Sequence, residues 1–435
     1  MALDNETRNR ILTTIDGMRE DIVRFCSDLV KIPSITPTYM GVDVDEVLGG
    51  ETRVSEFVAP VLEHLGFQND LWEEAPKRAN LVGKLEGAGG GKSLILSGHV
   101  DVVPTPNPEK WTDPPFSGAV KDDRIWGRGS SDMKGGIAAM VKAVEAIRKC
   151  GVKLKGDLLV ECTVGEETGD GATVGAAATV DRGYRADAAI IPEPTDAIWC
   201  CSGGLLWLSL GVTGKTGHGF VRYEMIRAGG QGTAVGVNAI EKAFKVCAAL
   251  RDLEEEWGFN KNHRLLPAGH STLGPNVIRG GPGAIETPFI IPDICTVEYC
   301  IWYPPHLDVE AIKKEVEERV QWVAAGDEWL KDNPPELDWK FHWTRYAIPE
   351  DHPIISTVSN AHQAVTGTVA GAIACPAVVD AAFMTHKQVP SICYGTGGLG
   401  LFSIHGVDEF VVIDDLIRAT KVLALAVLDW CEVEA

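Results

Sequence analysis

The sequence predicts an α/β protein: a mixed-sheet domain with helices on both faces, interrupted by a smaller inserted α+β domain. Three observations lead there. Short apolar runs bounded by glycine, proline or polar residues, around Leu94 to Leu96, Leu158 to Val160 and Ala188 to Ile191, have the continuous hydrophobicity of strands buried on both faces. Around them stand segments with apolar positions at helical spacing, such as Ile137, Met140, Val141, Val144 and Ile147. After Gly203 the pattern becomes β-α-β-β-α-β, which assigns 204–345 to the insert and 1–203 with 346–435 to the domain it interrupts. A chain of 435 residues is also too long for one ordinary core.

In chain order, Ile11, Ile15, Met18, Ile22, Phe25 and Leu29 predict one amphipathic helix over 7–31, ending before Ile32-Pro33-Ser34. A second helix, about 50–66, stops at Gly66, and Asn80-Leu-Val-Gly-Lys-Leu opens the strands leading to Leu94. That run delivers Ser97-Gly-His99-Val-Asp101 at its carboxyl end, where open α/β sheets place their ligands. Side chains two apart on an extended segment point the same way. The Asp101 carboxylate can therefore fix one ring nitrogen of His99 and leave the other for a metal. A hydrogen-bonded pair that merely ties down a loop has the same spacing.

Trp126-Gly-Arg-Gly-Ser-Ser-Asp132 opens the next helix and carries neither phosphate-loop pattern, so Asp132 is a ligand or a helix cap. The strand 157–164 runs into Glu166-Glu167, two adjacent acids that are costly together unless a cation or a shared proton offsets their repulsion, or the loop is solvated. The strand from Ala188 delivers Glu193 between two prolines that fix its backbone. In the insert come a strand at 205–212, the loop Thr213-Gly-Lys-Thr-Gly-His218-Gly, a helix at 237–257, strands at 271–279 and 295–303, a helix at 309–325 and a strand at 337–343. A helix at 356–365, a short strand at Ser391 and the segment Phe402-Ser-Ile-His405-Gly-Val-Asp-Glu precede the final helix.

Composition narrows the function. A net charge of −21 argues against nucleic acid or an anionic membrane as partner. The start Met-Ala-Leu-Asp-Asn-Glu lacks a basic, then apolar, leader pattern and no apolar run approaches a bilayer span, so the cytoplasm is the simplest location. Eleven cysteines without a C-x-x-C pair predict free thiols, with Cys200 and Cys201 packed in the core.

His99, Asp132, Glu167, Glu193 and His405 supply two imidazoles and three carboxylates, a set suited to two Zn²⁺-like ions sharing one carboxylate, with Glu166 left over as a base. With these motifs in order over nearly its whole length, the chain resembles the metallohydrolase family of glutamate carboxypeptidase, acetylornithine deacetylase, succinyl-diaminopimelate desuccinylase and aminoacylase. The resemblance implies one or two divalent ions per subunit, zinc, manganese or cobalt. His99, Asp132 and Glu193 would hold one, Asp132, Glu167 and His405 the other, with Asp132 bridging and Asp101 orienting His99. It also implies a non-proline cis bond from Asp132 to Met133 and a general base, Glu166, that takes a proton from water and returns it to the leaving nitrogen. The insert would be a lid and dimerisation domain whose His218 reaches a homodimer partner's site to stabilise an oxyanion. Asn276 would touch a small-molecule substrate.

One departure bears on that substrate. Where family deacylases carry an arginine for an α-carboxylate, this chain reads Val297-Glu-Tyr-Cys-Ile-Trp-Tyr-Pro304. Arg222, Arg227, Arg279 or Arg345 would have to replace it, or Trp199, Trp207, Trp302 and Tyr303 would line a flat pocket instead, although core packing accounts for most such residues. The expected activity is hydrolysis of a C–N bond of deacylase, deformylase or small-peptide type. The alternatives are removal of an aromatic amine, as in the related 5-nitroanthranilate aminohydrolase, and a non-catalytic binding protein, against which the retained Glu166 speaks.

Overall fold

Strands as apolar as Leu94–His99 and Leu158–Thr163 are stable only inside a sheet covered on both faces, and every residue of both is buried. In the computed structural model, which describes residues 5–283 and 287–434, the two pair in parallel, Ile95 opposite Leu159 and His99 opposite Thr163. Ala188–Ile191 and then Ser391–Cys393 extend the parallel core. Arg78–Leu85 and Gln68–Ala75 continue it antiparallel on one side and Ile198–Ser202 on the other, where Tyr346–Ala347 and Ala372–Cys375 each pair with Ile198–Ser202, giving nine strands among the described residues. The four parallel strands all end at the same edge of the sheet. His99 closes one of them, and the chain after the others leads into Glu166, Glu193 and Tyr394.

Two groups of helices cover this sheet. Gly135–Lys149 packs beside the strand of His99 and against Ile413–Cys431, while Gly50–His64 lies on the antiparallel strands and Ala381–His386 on Ala176–Asp181. Gly135–Lys149 and Ile413–Cys431 bury nearly all round, which is why their sequences read as almost continuously apolar. Among the described residues no helix is long and apolar enough to cross a membrane. All eleven cysteines are free thiols, and Cys200 and Cys201 are buried.

The chain divides into two compact units. The first comprises residues up to Cys201, Tyr346–Ala374 and Val379 onward; the second comprises Ser202–Arg345 with Cys375–Val378. In the second, the antiparallel strands Gly204–Thr213, Thr272–Gly281, Ile294–Tyr303 and Glu336–Trp343 form one sheet with Thr272–Gly281 and Glu336–Trp343 at its edges. Alternate residues Leu206, Leu208, Leu210 and Val212 pack with Val297, Tyr299 and Ile301 against the helices Ala239–Asn260 and Val309–Ala325. The other sheet face carries the half-buried Trp207 and Trp302.

The structure departs from the sequence reading in two places. The helix over 7–31 is two, Asn5–Gly17 and Arg19–Val30, because Gly17 is a poor helix former and the Met18 backbone leaves helical geometry, at φ −92° and ψ 2°. A small sheet of Ala119–Lys121, Arg124–Trp126 and Phe410–Val412 joins segments far apart in sequence that showed no strand pattern of their own. Of the aromatic residues weighed between a pocket and the core, Trp199 and Tyr303 are core residues, 6% and 1% exposed, as core packing leads one to expect.

Candidate metal centre

Each site residue of the first unit is delivered by a strand end or by a turn the local sequence dictates. His99 closes its strand at 1% exposure, with Nδ1 3.0 Å from the backbone oxygen of Asp101 and Nε2 3.2 Å from Asp132 Oδ1. The hydrogen bond to the Asp101 backbone leaves Nε2 free to face the site. This corrects the expected role of the Asp101 carboxylate, whose Oδ1 stands 3.7 Å from the ring. That carboxylate instead accepts three backbone N–H groups, from Gly165 at 2.9 Å, Glu166 at 3.2 Å and Glu167 at 3.0 Å. Asp101 thus holds the turn that presents both glutamates, and Arg78 secures its far side by pairing with Glu51 at 2.6 Å and Asp170 at 3.0 Å.

Asp132 stands between two imidazoles. Its Oδ1 faces His99, and its Oδ2 lies 3.4 Å from His405 Nε2, which is also 3.0 Å from Glu167 Oε2. The Asp132–Met133 bond is cis. Glu166, 8% exposed, places Oε2 3.9 Å from His99 Nε2. Glu193 is 3% exposed between its prolines. Its backbone is clasped by two glycines: a Cβ at Gly136 would lie 2.0 Å from the Pro192 oxygen, and one at Gly395 would lie 2.4 Å from the Glu193 oxygen. No larger residue fits at either position without moving Glu193.

The electrostatics are those of a cation site. Burial pushes Glu166 and Glu193 well above the usual carboxylate range, against the pull of His99, and lifts Glu167 to about 7, against His405. Burial would also raise Asp132, but hydrogen bonds from His405 and His99 outweigh it and hold that carboxyl low. Burial would lower His99 and His405, yet the acids around them win, raising His99 well above its usual value and His405 to about 11. Buried carboxylates ordinarily have partners; Glu167 Oε1 and Glu193 Oε1 have none. Ligand atoms of His99, Asp132 and Glu167 all lie within 4.8 Å of one another. The donor set and its orphaned oxygens fit divalent metal.

His218 belongs to the second unit, where it is exposed, caps a short turn by accepting from the Phe220 N–H at 3.2 Å and tilts against the Phe220 ring. Asn276 sits at a bulge of the edge strand Thr272–Gly281. Arg222 pairs with Glu241, Arg227 with Glu224, and Arg345 donates to the Leu307 carbonyl at 2.7 Å. Arg279 is the least committed, its side chain 69% exposed and 3.8 Å from Glu298.

Asp380 and Glu409 are among the buried acids that sequence reasoning missed. Asp380, 2% exposed and pushed up to about 7 by burial, points an unpartnered Oδ1 at Gly171 in the loop beyond Glu167. Glu409 accepts the backbone N–H of Asp132 at 3.1 Å. An acid inside the apolar run Val378 to Phe383 was a usable signal for Asp380; the four-residue spacing of Glu409 from His405 was one only in retrospect.

Residues 95–429 match the model of the peptidase family M20/M25/M40. Two curated relatives, the N-formyl-4-amino-5-aminomethyl-2-methylpyrimidine deformylases of Halalkalibacterium halodurans and Bacillus subtilis, are each 30% identical to the chain. The first alignment covers 97% of both proteins and the second 96% of both. Human carnosine dipeptidase 1 shares the fold at a TM-score of 0.73 and 17% identity, over 98% of this chain and 99% of that one.

The His405 pair predicts a pH signature in metal-free protein. A histidine held at about 11 against an ordinary 6.5 contributes stability that is full below pH 6.5 and lost as pH rises toward 11. The melting temperature of chelator-treated protein should therefore fall more steeply from about pH 7 to about pH 10 than that of His405→Ala. Equal slopes in calorimetry would remove His405 from this cluster.

Proposed function

The chain belongs to peptidase family M20/M25/M40 and is a metal-dependent hydrolase of C–N bonds, and on that premise we propose that it removes a small acyl group, formyl first among them, from an amine on a planar heteroaromatic substrate. The observation that carries the catalytic reading is Asp132 set between His99 and His405 with buried Glu166 beside them. The substrate reading is supported by the two deformylase relatives and by the strand Ile294–Tyr303, which has no arginine to receive an α-carboxylate.

In this reading His99, Asp132 and Glu193 would hold one divalent ion, and Asp132, Glu167 and His405 would hold a second. When bound, such ions acidify water and polarise a carbonyl. The chain's own groups do the rest. Glu166 has no ligand's duty in this reading; it accepts the proton of the attacking water on its carboxylate and returns it to the leaving nitrogen. Asp101 keeps Glu166 and Glu167 in place through their backbone N–H groups. Zinc, manganese and cobalt all suit these ligands.

Formate released from an N-formyl aminomethylpyrimidine, in chelator-sensitive fashion, is the expected product; ammonia without formate would favour the aminohydrolase reading. Glu166→Gln should keep its metal by elemental analysis and lose roughly 10² to 10⁴-fold in kcat. A near-normal rate would reassign the base.

The active form is proposed as a homodimer assembled through the second unit, with His218 serving the partner's site. Its sheet has two edge strands available for pairing, and exposed His218 lies beside exposed Phe220. Mixing Glu166→Gln with His218→Ala protein should restore about a quarter of wild-type activity once subunits exchange, because half the dimers are hybrid and each has one complete site. Exchange without recovery would confine His218 to its own chain.

A further inference from the structure

The two loops that present Asp132 and His405 come from opposite ends of the chain, and a small sheet splices them together. Arg124–Trp126 leads into the Gly-rich segment that ends at Asp132, and Phe410–Val412 follows His405. These strands pair antiparallel with Phe410 opposite Trp126, and the Gly127 N–H donates to the Glu409 carbonyl at 2.8 Å. Arg128 and Glu409 are thereby brought face to face, each with a side chain 1% exposed.

Their hydrogen bonds fan out to both loops. Glu409 Oε2 accepts from Arg128 Nη1 at 2.6 Å, while Oε1 accepts the N–H groups of Ser131 at 3.0 Å and Asp132 at 3.1 Å. Arg128 Nη2 donates to the carbonyls of His405 and Pro104, both at 3.3 Å, and its guanidinium lies over the Trp111 ring at 5.2 Å. One carboxylate thus grips the backbone of Asp132, and the arginine it pairs with grips the backbone of His405. A planar five-donor cation and a two-oxygen acceptor are the groups that can bond in several directions at once.

We propose that Arg128 and Glu409 are positioning residues that fix the separation of Asp132 from His405, and with it the affinity of the metal centre. Neither touches substrate. The inference rests on the reading that Asp132 and His405 hold metal. It also explains the sequence Trp126-Gly-Arg-Gly-Ser-Ser-Asp132, a glycine-rich turn with no phosphate to cradle: Gly127 has a φ of 142° and Gly129 of 81°, and the turn wraps Arg128 inward toward Glu409.

The test is zinc affinity, measured by chelator competition on full-length wild type, Glu409→Gln, Arg128→Lys and Val427→Ala. Val427 is a buried residue of the helix Ile413–Cys431 outside the site, and its truncation supplies a loss of stability without a change in the clamp. Glu409→Gln keeps an oxygen for the N–H groups but loses the charge opposite Arg128. Arg128→Lys keeps the charge but has no second nitrogen for His405. Both should weaken zinc binding about 10 to 100-fold, as loss of a group behind a ligand does, while Val427→Ala melts lower and binds as wild type. Wild-type affinity in either folded clamp variant, or an equal loss in Val427→Ala, would overturn the proposal. So would two clamp variants that fail to fold, since the pair would then be a folding element. Wild-type protein that binds no zinc would overturn the site reading itself, an outcome distinct from the others.

Discussion

The constraint on which the rest of this structure depends is that like charges are packed where water cannot screen them. Glu166, Glu167, Glu193 and Asp132 converge, largely buried, at the carboxyl edge of the parallel strands, with only two imidazoles facing them. Burial lifts three of these carboxyls above their usual range. Such a cluster is tolerable only if protons or cations neutralise it, and divalent metal would do so while leaving one acid able to move a proton. The fold serves that demand. Parallel strands bring four chain segments to one edge, and the backbone contacts of Asp101, the glycine clasp on Glu193 and the Arg128–Glu409 pair hold each segment in place.

Much of the site was legible because the strands that carry it are short, apolar and abruptly ended. The apolar runs 94–96, 158–160 and 188–191 are short and buried, so the histidine or acids that follow them stand out. The inserted β-α-β-β-α-β pattern was legible for a different reason: residues 205–212 alternate loosely in sequence, and their burial alternates because only one face of that sheet is covered.

What was not legible depends on contacts distant in sequence. The split at Met18 hangs on one glycine in an otherwise regular helical pattern. The strands Arg124–Trp126 and Phe410–Val412 are three residues each and become strands only by finding each other. Asp101 shows how spacing misleads: its side chain has the right separation from His99, yet three backbone N–H groups of the following turn compete for the carboxylate and win. Glu409 has no pattern around it, because its partners lie in segments some 280 residues earlier; the hydrogen bond to Arg128 spans 281 positions.

The account's central claim, that the buried acids form a centre for two metals bridged by Asp132, is tested most directly by anomalous diffraction at the zinc edge from crystals of the zinc-loaded protein. It predicts two peaks flanking the Asp132 carboxylate, one beside His99 and Glu193 and one beside Glu167 and His405. Zinc bound elsewhere, or a fully loaded crystal with no peak at Asp132, would contradict it.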